Sequence, residues 1–169
     1  GAAKRLGYDM DDAAAELRTL TTPDGKLQVR QACKRHLRYP AWECAVDVRN
    51  LSKTEPTAIA SNFRSVALAL DVPQSGRAVV LNVLRGSTCR ATDFVPEAFA
   101  IESGKERVLA TTSGRSSNDY VPFLELNLDE ENGYLFAIGW SGSWKARFAN
   151  TGRSVDVEIG MERTNFRLL

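Results

Sequence analysis

Apolar and polar residues alternate with period two along much of the chain. Trp42, Cys44, Val46 and Val48 are separated by Glu43, Asp47 and Arg49 among others. Leu124, Leu126 and Leu128 alternate with Glu125 and Asn127, and Trp144, Ala146 and Phe148 with Lys145 and Arg147. Val155, Val157 and Ile159 alternate with Ser154, Asp156 and Glu158. Successive side chains of a strand point to opposite faces, so this pattern predicts strands with one apolar face. The uninterrupted apolar runs 78–84 and 134–138 predict strands buried on both faces.

Turn chemistry falls between the runs, at Pro23-Asp24-Gly25, Gln74-Ser75-Gly76, Glu131-Asn132-Gly133 and Asn150-Thr151-Gly152. Asn-Gly and Asp-Gly tolerate positive φ and so close tight hairpins. All six prolines are read in or beside turns. Many short strands at such spacing predict an all-β antiparallel sandwich over residues 1–169 as one domain. The stretch 11–20 has helix formers behind an acidic start, but Ala13, Ala15, Leu17 and Thr19 also alternate, and in this setting strand is preferred.

A chain of 169 residues buries enough surface to need no disulfide or metal staple. A net charge of +1 removes the main electrostatic reason for nucleic-acid binding. No apolar run approaches the ~20 residues of a membrane-spanning helix. No cofactor or metal is expected, since Cys33, Cys44 and Cys89 lack C-x-x-C spacing. Cys33 and Cys44 are compatible with a disulfide on neighbouring strands, but buried thiols acting as small hydrophobes are the preferred reading. The one histidine, His36, lies in a basic run and reads as a surface strand residue.

Three segments are richer in glycine, hydroxyls and aromatics than plain turns require: 85–96 (RGSTCRATDFVP), 113–123 (SGRSSNDYVPF) and 139–144 (GWSGSW). Trp140 and Trp144 flank Ser-Gly-Ser, a pattern that suits aromatic stacking on a sugar ring, although core or interdomain packing is the preferred reading because the flanking runs are strongly apolar. Ser116, Ser117, Asn118 and Asp119 form a turn cluster whose side chains bond their own backbone. Asp93 with Asp119 or Glu97 is a remote candidate for a glycosidase carboxylate pair, against a reading of solvated loop carboxylates.

The stretches YPAWEC (39–44), RGSTCRATDF (85–94), GRSSNDYVPF (114–123), FAIGWSGSWKARF (136–148) and GMERTNFRLL (160–169) resemble, in order, the N-terminal β-domain of bacterial α-galactosidases of glycoside hydrolase family 36. The resemblance implies a galactose mutarotase-like β-supersandwich preceding a catalytic (β/α)₈ barrel. That barrel supplies an aspartate nucleophile and an aspartate acid/base for a retaining mechanism, and 169 residues leave no room for its roughly 250. The chain is accordingly expected to be a non-catalytic part of a longer enzyme.

On this resemblance the partners are the catalytic barrel of the same polypeptide and an α-galactoside, with room for a homo-oligomer. Asp93, Phe94, Asn118, Asp119 and Tyr120 are expected on the edge that walls the sugar site, and Trp140 and Trp144 are carried as further sugar-contacting candidates. Two other readings stay open: an independent carbohydrate-binding module with Trp140 and Trp144 as its platform, and a structural or oligomerisation domain. A start without Met and the polysaccharide setting point to a secreted or periplasmic protein, with the cytoplasm as the alternative.

Overall fold

The computed structural model describes residues 13–169, and every regular element among them is a strand. The chain forms two compact units, one of residues 61–165 and one of residues 13–60 with 166–169.

The larger unit is an antiparallel sandwich. One sheet has the order β10-β9-β6-β7, made of β6 (Val79–Arg85), β7 (Pro96–Ile101), β9 (Tyr120–Asn127) and β10 (Gly133–Ala137). The other has the order β5-β12-β11-β8, made of β5 (Arg64–Asp71), β8 (Glu106–Ala110), β11 (Trp144–Asn150) and β12 (Ser154–Met161). The alternating positions meet between the sheets: Leu81, Leu124 and Leu126 from one, Trp144, Ala146, Phe148, Val155 and Val157 from the other, all fully buried. Phe136 packs edge-on against Phe148 with ring centroids 5.7 Å apart. Leucine-sized side chains removed from water in this way contribute roughly 1.5–3 kcal/mol each. The buried Asn150 is satisfied by donating from Nδ2 to the Ile101 carbonyl at 2.7 Å, so it does not weaken the core as an unpaired amide would.

The two apolar runs differ from the two-sided burial their sequence predicts. Strand β6 alternates, with Val79, Leu81 and Val83 buried and Leu84 exposed. Strand β10 is the sheet's outermost strand and leaves Tyr134 and Leu135 exposed. Pro122 lies inside β9, not in a turn. It sits where the β6–β9 register shifts between Val83↔Leu124 and Arg85↔Tyr120, an irregularity that tolerates a residue with no amide proton.

The smaller unit holds a three-stranded sheet, β1-β2-β3: β1 (Ala13–Thr21), β2 (Leu27–His36) and β3 (Trp42–Asn50). The described part of 11–20 is thus strand, and residues 11–12 lie outside the described residues. Gly25, at φ +72°, closes the β1–β2 turn together with an amide bond to the Thr22 carbonyl. Cys33 and Cys44 face each other in the β2–β3 register and form a disulfide. This corrects the buried-thiol reading. Direct cross-strand pairing brings the Cα atoms to 4.1 Å, and the position is not enclosed, since Cys44 is exposed. Two short strands, β4 (Ala60–Ser61) and β13 (Asn165–Phe166), pair with each other.

Candidate functional site

Sandwich strands must be joined by loops at their ends, and in the larger unit the three segments singled out in the sequence converge at one end. The 85–96 and 113–120 loops are stitched backbone to backbone: Gly86 N donates to Asp119 O at 2.9 Å and Ser87 N to Ser117 O at 2.7 Å. Gly86 is required by this approach. A Cβ there would lie 2.3 Å from Ser117 O and 2.6 Å from Asn118 O. The 139–144 segment joins from the other side, with Ser116 N donating to Ser141 O at 3.1 Å and Gly114 N to Ser143 Oγ at 3.0 Å.

The first two loops are each also tied by an aspartate. Asp93 Oδ1 accepts from the amide and hydroxyl of Thr88 at 3.0 and 3.2 Å, and its Oδ2 from the amide of Arg90 at 3.1 Å. The Thr88 amide is the chief reason its carboxyl sits below the ordinary carboxylate value; burial opposes the shift, and the Arg90 amide and Thr88 hydroxyl add to it. Asp119 Oδ2 accepts from Thr112 N at 2.6 Å, Thr112 Oγ1 at 2.8 Å and Asn118 Nδ2 at 3.2 Å. Burial pushes Asp119 up, but the Thr112 hydroxyl and amide together with Asn118 outweigh it, and the net shift is downward. Asn118 is itself buried and accepts from Arg115 at 2.7 Å.

Between the first two loops lies a cleft of about 280 Å³, lined by Arg85, Arg90, Thr92, Asp93, Asp119 and Tyr120 among others. Its size is at the lower end for ligand sites, enough for one small ring. Arg85 is engaged by Glu97, with Nε 2.8 Å from Oε1. Among the described residues no hydrogen bond or ion pair holds the Arg90 guanidinium. Among the described residues, three of the four non-glycine residues with left-handed backbone, Cys89, Phe94 and Ser113, lie on these loops. Such conformations cost of order 1–3 kcal/mol and concentrate at functional edges.

The expected residues separate into three groups. Asp93, Asp119 and Tyr120 line the cleft. Phe94 stands beside it, more than half exposed, and Asn118 is buried next to Asp119. Trp140 and Trp144 are not among its lining. Trp144 is fully buried, while Trp140 is 46% exposed over Gly142, where a Cβ would meet the indole nitrogen at 2.7 Å. Arg90, Thr92 and Thr112 also line the cleft. The hydroxyl run Thr111-Thr112-Ser113 before Gly114 is the available signal for Thr112; Arg90 and Thr92 lie in the distinctive 85–96 segment, but no local pattern sets them apart within it.

Both aspartates are held ionised, and a glycosidase pair needs one carboxyl raised enough to donate a proton. As carboxylates the two can accept hydrogen bonds. No cluster of three or more His, Cys, Asp or Glu side chains suited to a metal occurs among the described residues.

No protein-family model matches the chain, and no curated protein matches it. Among solved structures the chain is similar to the crystal structure of the GH36 alpha-galactosidase AgaA from Geobacillus stearothermophilus. The likeness has a TM-score of 0.67 at 15% identity and covers 92% of this chain. At that identity it is a likeness of fold. The chain spans 23% of the length of that enzyme chain.

Proposed function

We propose that this chain is the non-catalytic N-terminal β-sandwich domain of an α-galactosidase-like glycoside hydrolase of family 36. In this reading it packs on a catalytic barrel of the same polypeptide, and its loop end walls the sugar site. The observation that carries the reading is the fold likeness to the GH36 enzyme over 92% of the chain. The cleft adds chemical support. Ionised Asp93 and Asp119 offer acceptors, Arg90 a donor and Phe94 an exposed ring, a mixture that suits a hydroxyl-rich ligand. The acid and nucleophile belong to the remainder of the enzyme. The Cys33–Cys44 disulfide supports a secreted or periplasmic setting, because such bonds persist in oxidising compartments.

The test uses the parent enzyme with Phe94→Ala and Tyr120→Phe, side chains that are not needed to tie the loops. An increase in KM for melibiose, with an unchanged melting temperature, is the expected result. Unchanged kinetics in both variants would remove the sugar-wall role. The 169-residue chain alone is expected to leave p-nitrophenyl α-galactoside intact, and reproducible turnover by it would overturn the non-catalytic assignment.

A further inference from the structure

The cystine of the smaller unit joins two strands that are already paired. Cys33 lies within β2 and Cys44 directly opposite it within β3, and the pairs Ala32↔Ala45 and Lys34↔Glu43 keep the register on either side. The bond therefore tightens a ladder and does not link elements that are otherwise apart. It also lies open, since Cys44 is exposed and Cys33 half-buried. Exchange requires a thiolate to reach one of the two sulfurs, so access separates labile cystines from inert ones.

Charge favours one direction of attack. Side chains alternate along a strand, which puts Arg35 on the same face as Cys33 and Trp42 on the same face as Cys44. The Arg35 guanidinium lies over the Trp42 ring, 5.7 Å from its centroid. From β1, Glu16 stands opposite Cys33 and is itself 4.0 Å from Arg18. Cys33 thus has a cation two positions along its own strand and a paired carboxylate across the ladder. A nearby cation stabilises a thiolate, so Cys33 is the better leaving group and exposed Cys44 the better point of attack.

We infer that Cys33–Cys44 is a reversible thiol–disulfide switch that locks and releases the β2–β3 hairpin in response to a small thiol of the glutathione class. A glutathione thiolate attacks Cys44 Sγ, the S–S bond breaks, and Cys33 departs with the electron pair as a thiolate. A second glutathione thiolate attacks the glutathione sulfur of the mixed disulfide and expels Cys44 as a thiolate. Two thiols are oxidised to glutathione disulfide, the cystine gains two electrons, and both cysteine thiolates take protons from water. Exchange with glutathione disulfide closes the lock again. With the bond open the hairpin keeps its ladder but little enclosed apolar surface, because Leu27 is the one buried hydrophobic residue in the described part of this unit. Such a sheet opens frequently.

The experiment uses the 169-residue chain with Cys89→Ser, which leaves no third thiol to scramble the pair. The folded chain is equilibrated without denaturant in glutathione buffers of increasing thiol fraction, and open pairs are counted by mass after alkylation. Reversible opening of the folded chain is expected, with trypsin cleavage after Arg35 and Arg38 rising about tenfold in the open form. Arg35→Gln is expected to slow opening about two- to threefold and Glu16→Gln to speed it, both effects fading in about 1 M salt. A pair that opens only once urea unfolds the smaller unit would overturn the switch, and so would equal cleavage of the open and closed forms. Cys33→Ser with Cys44→Ser should be cleaved like the open form in every buffer; cleavage at the closed rate would also overturn it. Opening rates unchanged in both charge variants would overturn the assisted departure of Cys33.

Discussion

The indole Nε1 of Trp144 donates a 2.7 Å hydrogen bond to the carbonyl of Ser116, and the Trp144 amide donates to Thr111 Oγ1 at 3.0 Å. One fully buried residue at the start of β11 thus fills the core and also holds the loop that presents Asp119 to the cleft. Tryptophan suits both tasks because its ring is apolar and its single donor needs a partner when buried.

Replacing that residue separates the two tasks. Trp144→Phe keeps an aromatic ring but leaves the Ser116 carbonyl without its donor and a void beside it. A loss of about 2–4 kcal/mol is expected in urea denaturation. Amides 116–118 should also exchange faster with solvent. A cost below about 1 kcal/mol would show that the ring does not hold the loop.

Gly86 is needed for close approach and not for its backbone conformation, since its φ is not in the left-handed region. Gly86→Ala would force backbone atoms of 117 and 118 aside. The expected cost is about 1–3 kcal/mol, with chemical-shift changes in amides 112–120 and none in β12. Shifts confined to residue 86 and its chain neighbours would refute the stitched-loop description.

Asp119 makes the loop pH-sensitive in a definite direction. Its folded value lies below the ordinary 3.8, so its bonds to Thr112 and Asn118 favour the folded loop above that value. That contribution is lost as pH falls below about 4 and through the folded value. The Thr112 amide resonance should therefore move between neutral pH and the acid limit, and Asp119→Asn should remove the step. Because the site is open to solvent, the effect on global stability should be small.

The disulfide has a different neighbourhood. Leu27 is the one buried hydrophobic residue in the described part of the smaller unit, and a three-stranded sheet with so little enclosed surface is weakly held. Cross-linking residues eleven positions apart contributes about 2–3 kcal/mol in the loop-entropy account. Reduction, or Cys33→Ser with Cys44→Ser, should increase amide exchange across β2 and β3. Strands β6, β9, β11 and β12 should keep their protection. Equal loss in both units would contradict this division.

How much was legible beforehand depends on the range of the interaction. Alternation along 144–148, 154–159 and 123–128 located β11, β12 and β9 and named the residues that bury, since a strand's two faces are written locally. The same logic failed for 134–138, whose apolar run is an outermost strand with Leu135 outside. It also did not single out Arg90 and Thr92 within the 85–96 segment, because which of its side chains line the cleft depends on how that loop is stitched to 117–119.

Sequence alone determined that this is an all-β antiparallel protein, where several of its strands and turns lie, and which three loops are chemically unusual, because period-two patterning and turn residues act over a few positions. Tertiary structure decided the rest. It placed Trp144 in the core and Trp140 on the surface, although both flank the same Ser-Gly-Ser. It set Cys33 opposite Cys44 and gathered Asp93, Asp119 and Tyr120 around one cleft. Each of these outcomes depends on strand order and register between residues far apart in the chain, and no local pattern encodes that pairing.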